Sequence, residues 1–398
     1  MITPISTPAS TERIQVVDAL RGFAIAAILL LHNLEHFDFW YTPQGFPSWL
    51  VNLDKGIWDT MFFLFSGKAY GIFALLFGFT FYIMQHNQAK KGKDFRLRFA
   101  WRLLLLLGFG VINSAFYQGD ILTIYALLGI TLIPVAKLSN KAVLIIACLL
   151  IFQPWEWGKF LIALTHPAQD LADPASWAYF GKMSEYITGN SFIKTIAGNL
   201  TNGKAGVYLW TWEAGRVFQT PGLFMIGMLL GRTGKFIFSG ETKRFWTKIL
   251  IISSVAFVPL YLLGIGLTPG NIPNEALLRP LSLITKSWSN IAFMFVLIAG
   301  FVLLFQKSTI QRVLNVFSVL GKMSLSNYII QSILGATIYY GFGLGLYQYT
   351  GASMCLIIGL ALMILQWHFC KYWMRSHRYG PLEGIWHKLT WINSENNK

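Results

Sequence analysis

Residues 13–36 read RIQVVDALRGFAIAAILLLHNLEH, and this stretch decides the fold. Between Arg21 and His32 stand only Gly, Phe, Ala, Ile and Leu. With its flanks the run reaches the ~20 residues that a helix needs to cross a bilayer. At ~100° per residue, the step from Arg21 to His32 returns to within about 20° of the same helical face. Asp18 and His36 fall within about 60° of that face. One side of this first helix is therefore expected to carry Asp18, Arg21, His32 and His36. Ionisable groups inside a span are costly and turn towards a protein interior or a wet cavity. The plainer alternative is that Arg21 marks the cytoplasmic end while the two histidines sit among outer headgroups. Arg13 and Arg21 ahead of an apolar run also resemble a signal peptide. No small-residue cleavage site follows, so the stretch reads as an uncleaved signal anchor.

Composition agrees with this reading. The 398 residues are 55% hydrophobic and only 12% charged, with a mean hydropathy of +0.52. These values belong to polytopic membrane proteins. The net charge of +15 does not imply a nucleic-acid partner, because the Lys and Arg lie in short loops between apolar segments, where they set topology. Cys148, Cys355 and Cys370 sit in apolar segments at unrelated spacings, without a disulfide framework or zinc pattern. No metal site is expected.

The apolar segments predict an all-α polytopic protein of about ten membrane helices in one bundle. Spans are expected near 16–36, 57–85, 99–117, 121–136, 142–163, 206–231, 249–267, 288–305, 323–343 and 352–370. The second is too long for one perpendicular span and holds Ser66, Gly67 and Lys68 near its middle, so a break is expected there. Basic runs at 90–98, 232–248 and 306–322, a weaker one at 137–141, and the C-terminal tail fall on alternate connections. By the positive-inside rule both termini are then cytoplasmic. The organisation reads as a disordered tail at 1–12, one transmembrane domain at 13–378 and a cytoplasmic tail at 379–398. The long connection 164–205 mixes Asp, Pro, Ser, Trp and Gly and is expected to cover the outer face with short interfacial helices.

Several ionisable residues fall within or at the mouth of apolar spans. On this topology Asp18 and Arg21 lie towards the cytoplasm and Lys68 near mid-depth. His32, His36, Asp59, Asp120, Glu213 and Arg216 lie in the outer half. A histidine titrates near neutral pH and can exchange a proton there. A carboxylate beside it would fix its tautomer and stabilise the imidazolium form. His32 is accordingly the candidate base, with Asp59, Asp120 or Glu213 expected within reach of its ring. Arg21 and Lys68 could hold an anionic group such as a phosphate. The alternative is that these charges pair as buried structural salt bridges. GFGVIN and GFGLG read as helix contacts, since no strand–turn–helix context surrounds them.

Five ordered motifs then match a known pattern: RIQVVDALRGFAI at 13–25, GKAYGIFALLFGF at 67–79, GDILTIYALLG at 119–129, GKMSLSNYIIQS at 321–332 and YGPLEGIWHKLT at 379–390. Together they resemble the YeiB-type family of bacterial inner-membrane proteins. That family is distantly similar to the transmembrane acyltransferase superfamily, which includes heparan-α-glucosaminide N-acetyltransferase and bacterial membrane O-acyltransferases. In the bacterial O-acyltransferases an Arg-Gly is followed by a His eleven residues after the Arg, a spacing that Arg21, Gly22 and His32 reproduce. His32 departs from the Asn that the nearer family carries there. Asn113 and the GPLEGIW tail are further departures.

The resemblance implies a multi-pass protein of the bacterial inner membrane. It also implies transfer of an acyl group, most simply acetyl from acetyl-CoA, to an extracytoplasmic glycan or lipid. His32, Asp59 and Asp120 would then be catalytic. Asp18, Arg21, Lys68, His36, Glu213 and Arg216 would bind donor or acceptor. The competing expectation is a transporter or binding protein that passes a small anion by the same charges. No inverted repeat in the sequence supports that competitor.

Overall fold

The computed structural model describes residues 14–166 and 172–392, and the tail expected at 1–12 lies outside them. The described residues contain helices and turns and no β-strand. In chain order the first helices are α1 (Gln15–Leu34), α2 (Ser48–Phe65), α3 (Ala69–Ala89), α4 (Arg96–Phe116), α5 (Leu122–Gly129), α6 (Leu132–Val135), α7 (Asn140–Ile151) and α8 (Pro154–Thr165). The long connection forms α9 (Ala175–Gly181), α10 (Ser184–Ile187), α11 (Phe192–Gly198) and a π-helical turn (Asn199–Gly203). After it come α12 (Lys204–Glu213), α13 (Arg216–Arg232), α14 (Gly240–Gly266) and α15 (Glu275–Phe305). The chain continues with α16 (Ser308–Leu314), α17 (Phe317–Lys322), α18 (Ser324–Tyr339), α19 (Ala352–Ser376) and α20 (Pro381–Thr390).

Among the described residues six helical segments are long and apolar enough to cross a membrane, and the pair α7–α8, bent by 44°, makes a seventh if it counts as one span. The chain is thus a multi-pass helical membrane protein. Other stretches read as spans fold as shorter or interrupted helices. The run 206–231 breaks between α12 and α13 at Ala214 and Gly215, where Gly215 has φ +66°. The run 121–136 divides into α5 and α6. The break at Ser66–Lys68 is present, with Gly67 at φ +76° between α2 and α3.

Helix α1 is the interior helix: 15 of its 20 residues are buried, and it packs on α3, α17, α18 and α19. By contrast α2 has no buried residue. The tail at 379–392 is docked rather than loose. Glu383 of α20 accepts hydrogen bonds from the Leu325 and Ser326 amides at 2.8 and 3.1 Å, which caps the start of α18. Such an acceptor satisfies amides that have no partner inside the helix.

The crossing of α3 and α13 is made by glycines. A Cβ added at Gly78 would run into the Phe224 carbonyl, and one at Gly227 into the Leu75 carbonyl. Small residues let two backbones approach within a membrane. Gly78→Ala is therefore expected to lower the melting temperature of the purified protein, at a cost of about 1–3 kcal/mol for overpacking. Gly108→Ala, where an added Cβ meets nothing within 4 Å, should melt like the parent. Equal melting of the two variants would refute the tight crossing.

Candidate functional site

The site begins where α1 ends. The helix stops at Leu34, and His36, Phe37 and Asp38 then take positive φ of 45°, 56° and 72°. Such a conformation is costly for non-glycine residues unless the surroundings impose it. Here Tyr340 donates to the Phe37 carbonyl at 2.6 Å, and His36 Nε2 lies 3.0 Å from the Thr350 carbonyl. His36 Nδ1 also lies 3.3 Å from the Phe39 carbonyl. His36 is thus a buried clamp on the turn rather than a cavity residue. The turn directs Asp38 to the same cavity that His32 and Glu35 line.

That cavity has a volume of ≈ 890 Å³. The His32 imidazole lines it, with its ring centroid 4.6 Å from that of Tyr117 and 6.1 Å from that of Tyr328. His32 Nδ1 is buried and has no hydrogen-bond partner among the described residues. Tyr117 donates to Asp38 at 3.3 Å. Burial pushes the Asp38 carboxyl up to about 6, although the Tyr117 hydroxyl and the charges of Lys204 and Arg216 oppose the rise.

Arg216 enters the cavity from the first residue of α13. Its guanidinium lies between the rings of Tyr70 and Trp210, 4.1 Å from each centroid. Such stacking holds a planar cation in one orientation, and its charge acts on both Glu35 and Asp38. A chain of hydrogen bonds supports this turn. Tyr70 donates to Gln219, Gln219 donates to Ser287 Oγ at 2.9 Å, and Gln153 donates to the Gly215 carbonyl at 3.1 Å. The short helices of the long connection close over the cavity with Trp177, Phe180 and Met183.

Of the residues expected from the sequence to share a site around His32, the cavity gathers His32 and Arg216. Asp59, Asp120 and Glu213 do not line it, and the carboxylate expected beside His32 is supplied by none of the three. Asp59 is exposed on α2 and pairs with Lys55. Glu213 lies 3.4 Å from the Ser176 amide, which donates to it. Asp120 is fully buried in a closed cluster, where it accepts from Asn113 at 2.9 Å and from the Thr123 amide at 2.8 Å and pairs with Lys204 at 3.5 Å. Asp18 and Arg21 pair at 3.3 Å, and Arg21 also donates to Thr80 at 2.9 Å. Lys68 is buried at the α2–α3 break with its ammonium over Phe63 and Phe293.

The cavity adds Glu35, Asp38, Tyr70, Tyr117, Lys286 and Tyr328, which the sequence pattern does not single out as site residues. Glu35 carries a signal even so, since it stands three residues after His32 and so on the same helical face. Lys286 is hidden because α15 begins at Glu275, well before the apolar run at 288.

Residues 230–393 match the profile of a family described as protein of unknown function (DUF418). Lys286 and Tyr328 fall inside that segment, whereas His32, Glu35, Asp38 and Arg216 precede it. YxaH of Bacillus subtilis (strain 168), described as uncharacterized, is 28% identical over 410 residues, which cover 96% of this chain and 96% of YxaH. YeiB of Escherichia coli (strain K12), also described as uncharacterized, is 28% identical over 407 residues, 95% of this chain and 96% of YeiB. A 39.9 kDa protein encoded in the amylase 3′ region of Bacillus acidopullulyticus is 24% identical over 395 residues, 96% of this chain and 94% of that protein. No solved structure matches the chain at a significant level.

Proposed function

Since this chain is a YeiB-type membrane protein, we propose that its cavity performs acyl transfer from a CoA-type thioester to a hydroxyl of a glycan or lipid. The observation that carries the reading is the His32 imidazole in a ≈ 890 Å³ cavity with Glu35, Asp38 and Arg216 on its walls. A histidine within reach of a hydroxyl can take its proton as the oxygen attacks the acyl carbon. The new bond is O–C(acyl) and the bond broken is the thioester C–S. The proton passes from the hydroxyl to His32 and then to the departing thiolate. Asp38 and Glu35 stand on the walls of the same cavity. Arg216, fixed between two rings, faces the negative charge that grows on the acyl oxygen. Arg21 stays outside this scheme because Asp18 and Thr80 already engage it.

Isotope-labelled acetyl-CoA, incubated with the purified protein in native lipid, is expected to label the lipid or glycan fraction. The interrupted helices at Gly67 and Gly215 also favour a second reading, passage of an anion, because broken helices border the binding sites of many transporters. Uptake of a labelled anion into proteoliposomes without acyl transfer would establish that reading instead.

The reading includes the inner membrane as location and about ten spans with both termini cytoplasmic. With the three native cysteines replaced, Ile193→Cys on α11 should react with an impermeant maleimide in intact cells. Lys91→Cys should react only after permeabilisation. The reverse pattern would overturn the orientation of the site.

A further inference from the structure

We infer that the Tyr328 hydroxyl donates a hydrogen bond to the acyl oxygen during transfer, as a second donor beside Arg216. The inference rests on the acyl-transfer reading and gives its cavity a further catalytic residue. Three tyrosines line the cavity, Tyr70, Tyr117 and Tyr328. A phenolic hydroxyl has one proton to donate and can also accept a hydrogen bond. Two of the three protons are spent inside the protein, since Tyr70 donates to Gln219 and Tyr117 donates to Asp38. Tyr328 is arranged the other way round. Its oxygen accepts the Ile121 amide proton at 3.1 Å, and its own proton has no acceptor among the described residues.

The amide belongs to a well-anchored piece of backbone. Ile121 stands just before α5, next to Asp120, whose carboxylate accepts the Thr123 amide at 2.8 Å. Ile121 lines the cavity as Tyr328 does, so the bond between them lies at the wall. It also joins two of the stretches quoted from the sequence, 119–129 and 321–332. Tyr328 is only 3% exposed, and a buried hydroxyl proton without an acceptor is costly. The cavity is where a substrate oxygen can supply that acceptor. Accepting from the amide polarises the phenol and strengthens it as a donor. The ring also stands beside the base, with its centroid 6.1 Å from that of His32. An acyl carbon attacked by an oxygen that gives its proton to His32 is therefore near the Tyr328 hydroxyl too. As the new O–C bond forms, the carbonyl π electrons move onto the acyl oxygen. Tyr328 and Arg216 stabilise that charge. When the C–S bond breaks, the carbonyl re-forms, and Tyr328 keeps its proton throughout.

The test measures transfer from labelled acetyl-CoA by the full-length protein in native lipid. Tyr328→Phe keeps the ring beside His32 and removes only the hydroxyl. Its kcat should fall by about 10²- to 10³-fold, the usual loss for one such donor. KM for acetyl-CoA should stay unchanged, because the bond is made in the transition state. Tyr328→Phe also strips the Ile121 amide of its acceptor, so a second protein carries trifluorotyrosine at position 328. That residue keeps the ring and the accepting oxygen but gives up its proton at a lower pH than tyrosine. Transfer should then fall off on the alkaline side at a lower pH than in the parent, whereas a purely structural acceptor would leave the profile in place. The ionisable groups around the phenol, His32, Asp38, Tyr117 and Asp120, are the same in both proteins, so a shift belongs to position 328. A parent that transfers label, with Tyr328→Phe equal to it in kcat or with the alkaline limb unmoved, would overturn the role of Tyr328 and leave the acyl-transfer reading standing. A parent that transfers no label would overturn that reading and the role together.

Discussion

His32→Ala is expected to abolish acyl transfer, with a loss of about 10²- to 10⁴-fold, the range supplied by a positioned general acid–base group. The fold should survive the change. His32 Nδ1 has no hydrogen-bond partner among the described residues, so truncation leaves no buried group unsatisfied. What the truncation removes is ring packing against Tyr117, Phe37 and Tyr328 at the cavity wall. Thermal melting should therefore stay close to that of the parent while transfer of label from acetyl-CoA falls to background. His32→Gln should not restore transfer, because an amide keeps hydrogen bonds but cannot accept a proton near neutral pH. Full transfer by His32→Ala would refute the role.

Asp120→Ala is expected to have the opposite signature, a large loss of stability. Asp120 lies within a shell of Asn113, the Thr123 amide and Lys204. Removing it leaves the Lys204 ammonium buried, with the Thr123 hydroxyl at 2.9 Å, the carbonyls of Gln118 and Asp120 at 3.4 and 3.3 Å and the Tyr208 ring, but no paired carboxylate. Breaking a buried pair from one side typically costs about 3–5 kcal/mol, because the remaining charge is uncompensated. Lys204 opens α12 directly after the π-helical turn, so the helices over the cavity should loosen first. Trypsin should then cut within 172–213 faster than in the parent. Adding Lys204→Met to Asp120→Ala should recover part of the lost melting temperature, since it removes the stranded charge. A single variant that melts like the parent but transfers no acetyl group would show instead that Asp120 acts in the chemistry.

Most of what the sequence alone determined concerns elements whose cause is local. Residues 13–36 specify a membrane helix because an uninterrupted apolar run has no other stable partner than lipid or protein interior. The break at Ser66–Lys68 was legible because Gly and a charge interrupt a run too long for one span. The short helices of 164–205 were legible from their mixed composition. His32 and Arg216 were legible as interior groups because a charge among apolar neighbours must find a polar space.

Their surroundings required the tertiary structure. Asp38 joins His32 only because residues 36–38 are held left-handed, and the clamp on His36 is Thr350, 314 residues away. The rings around Arg216 come from α3 and α12. Asp120 looked like a companion for His32, yet Lys204, 84 residues on, takes it into a closed cluster. Helical spacing and hydropathy act over a few turns, whereas the partner of a buried charge is chosen by which distant segments the packing brings to it.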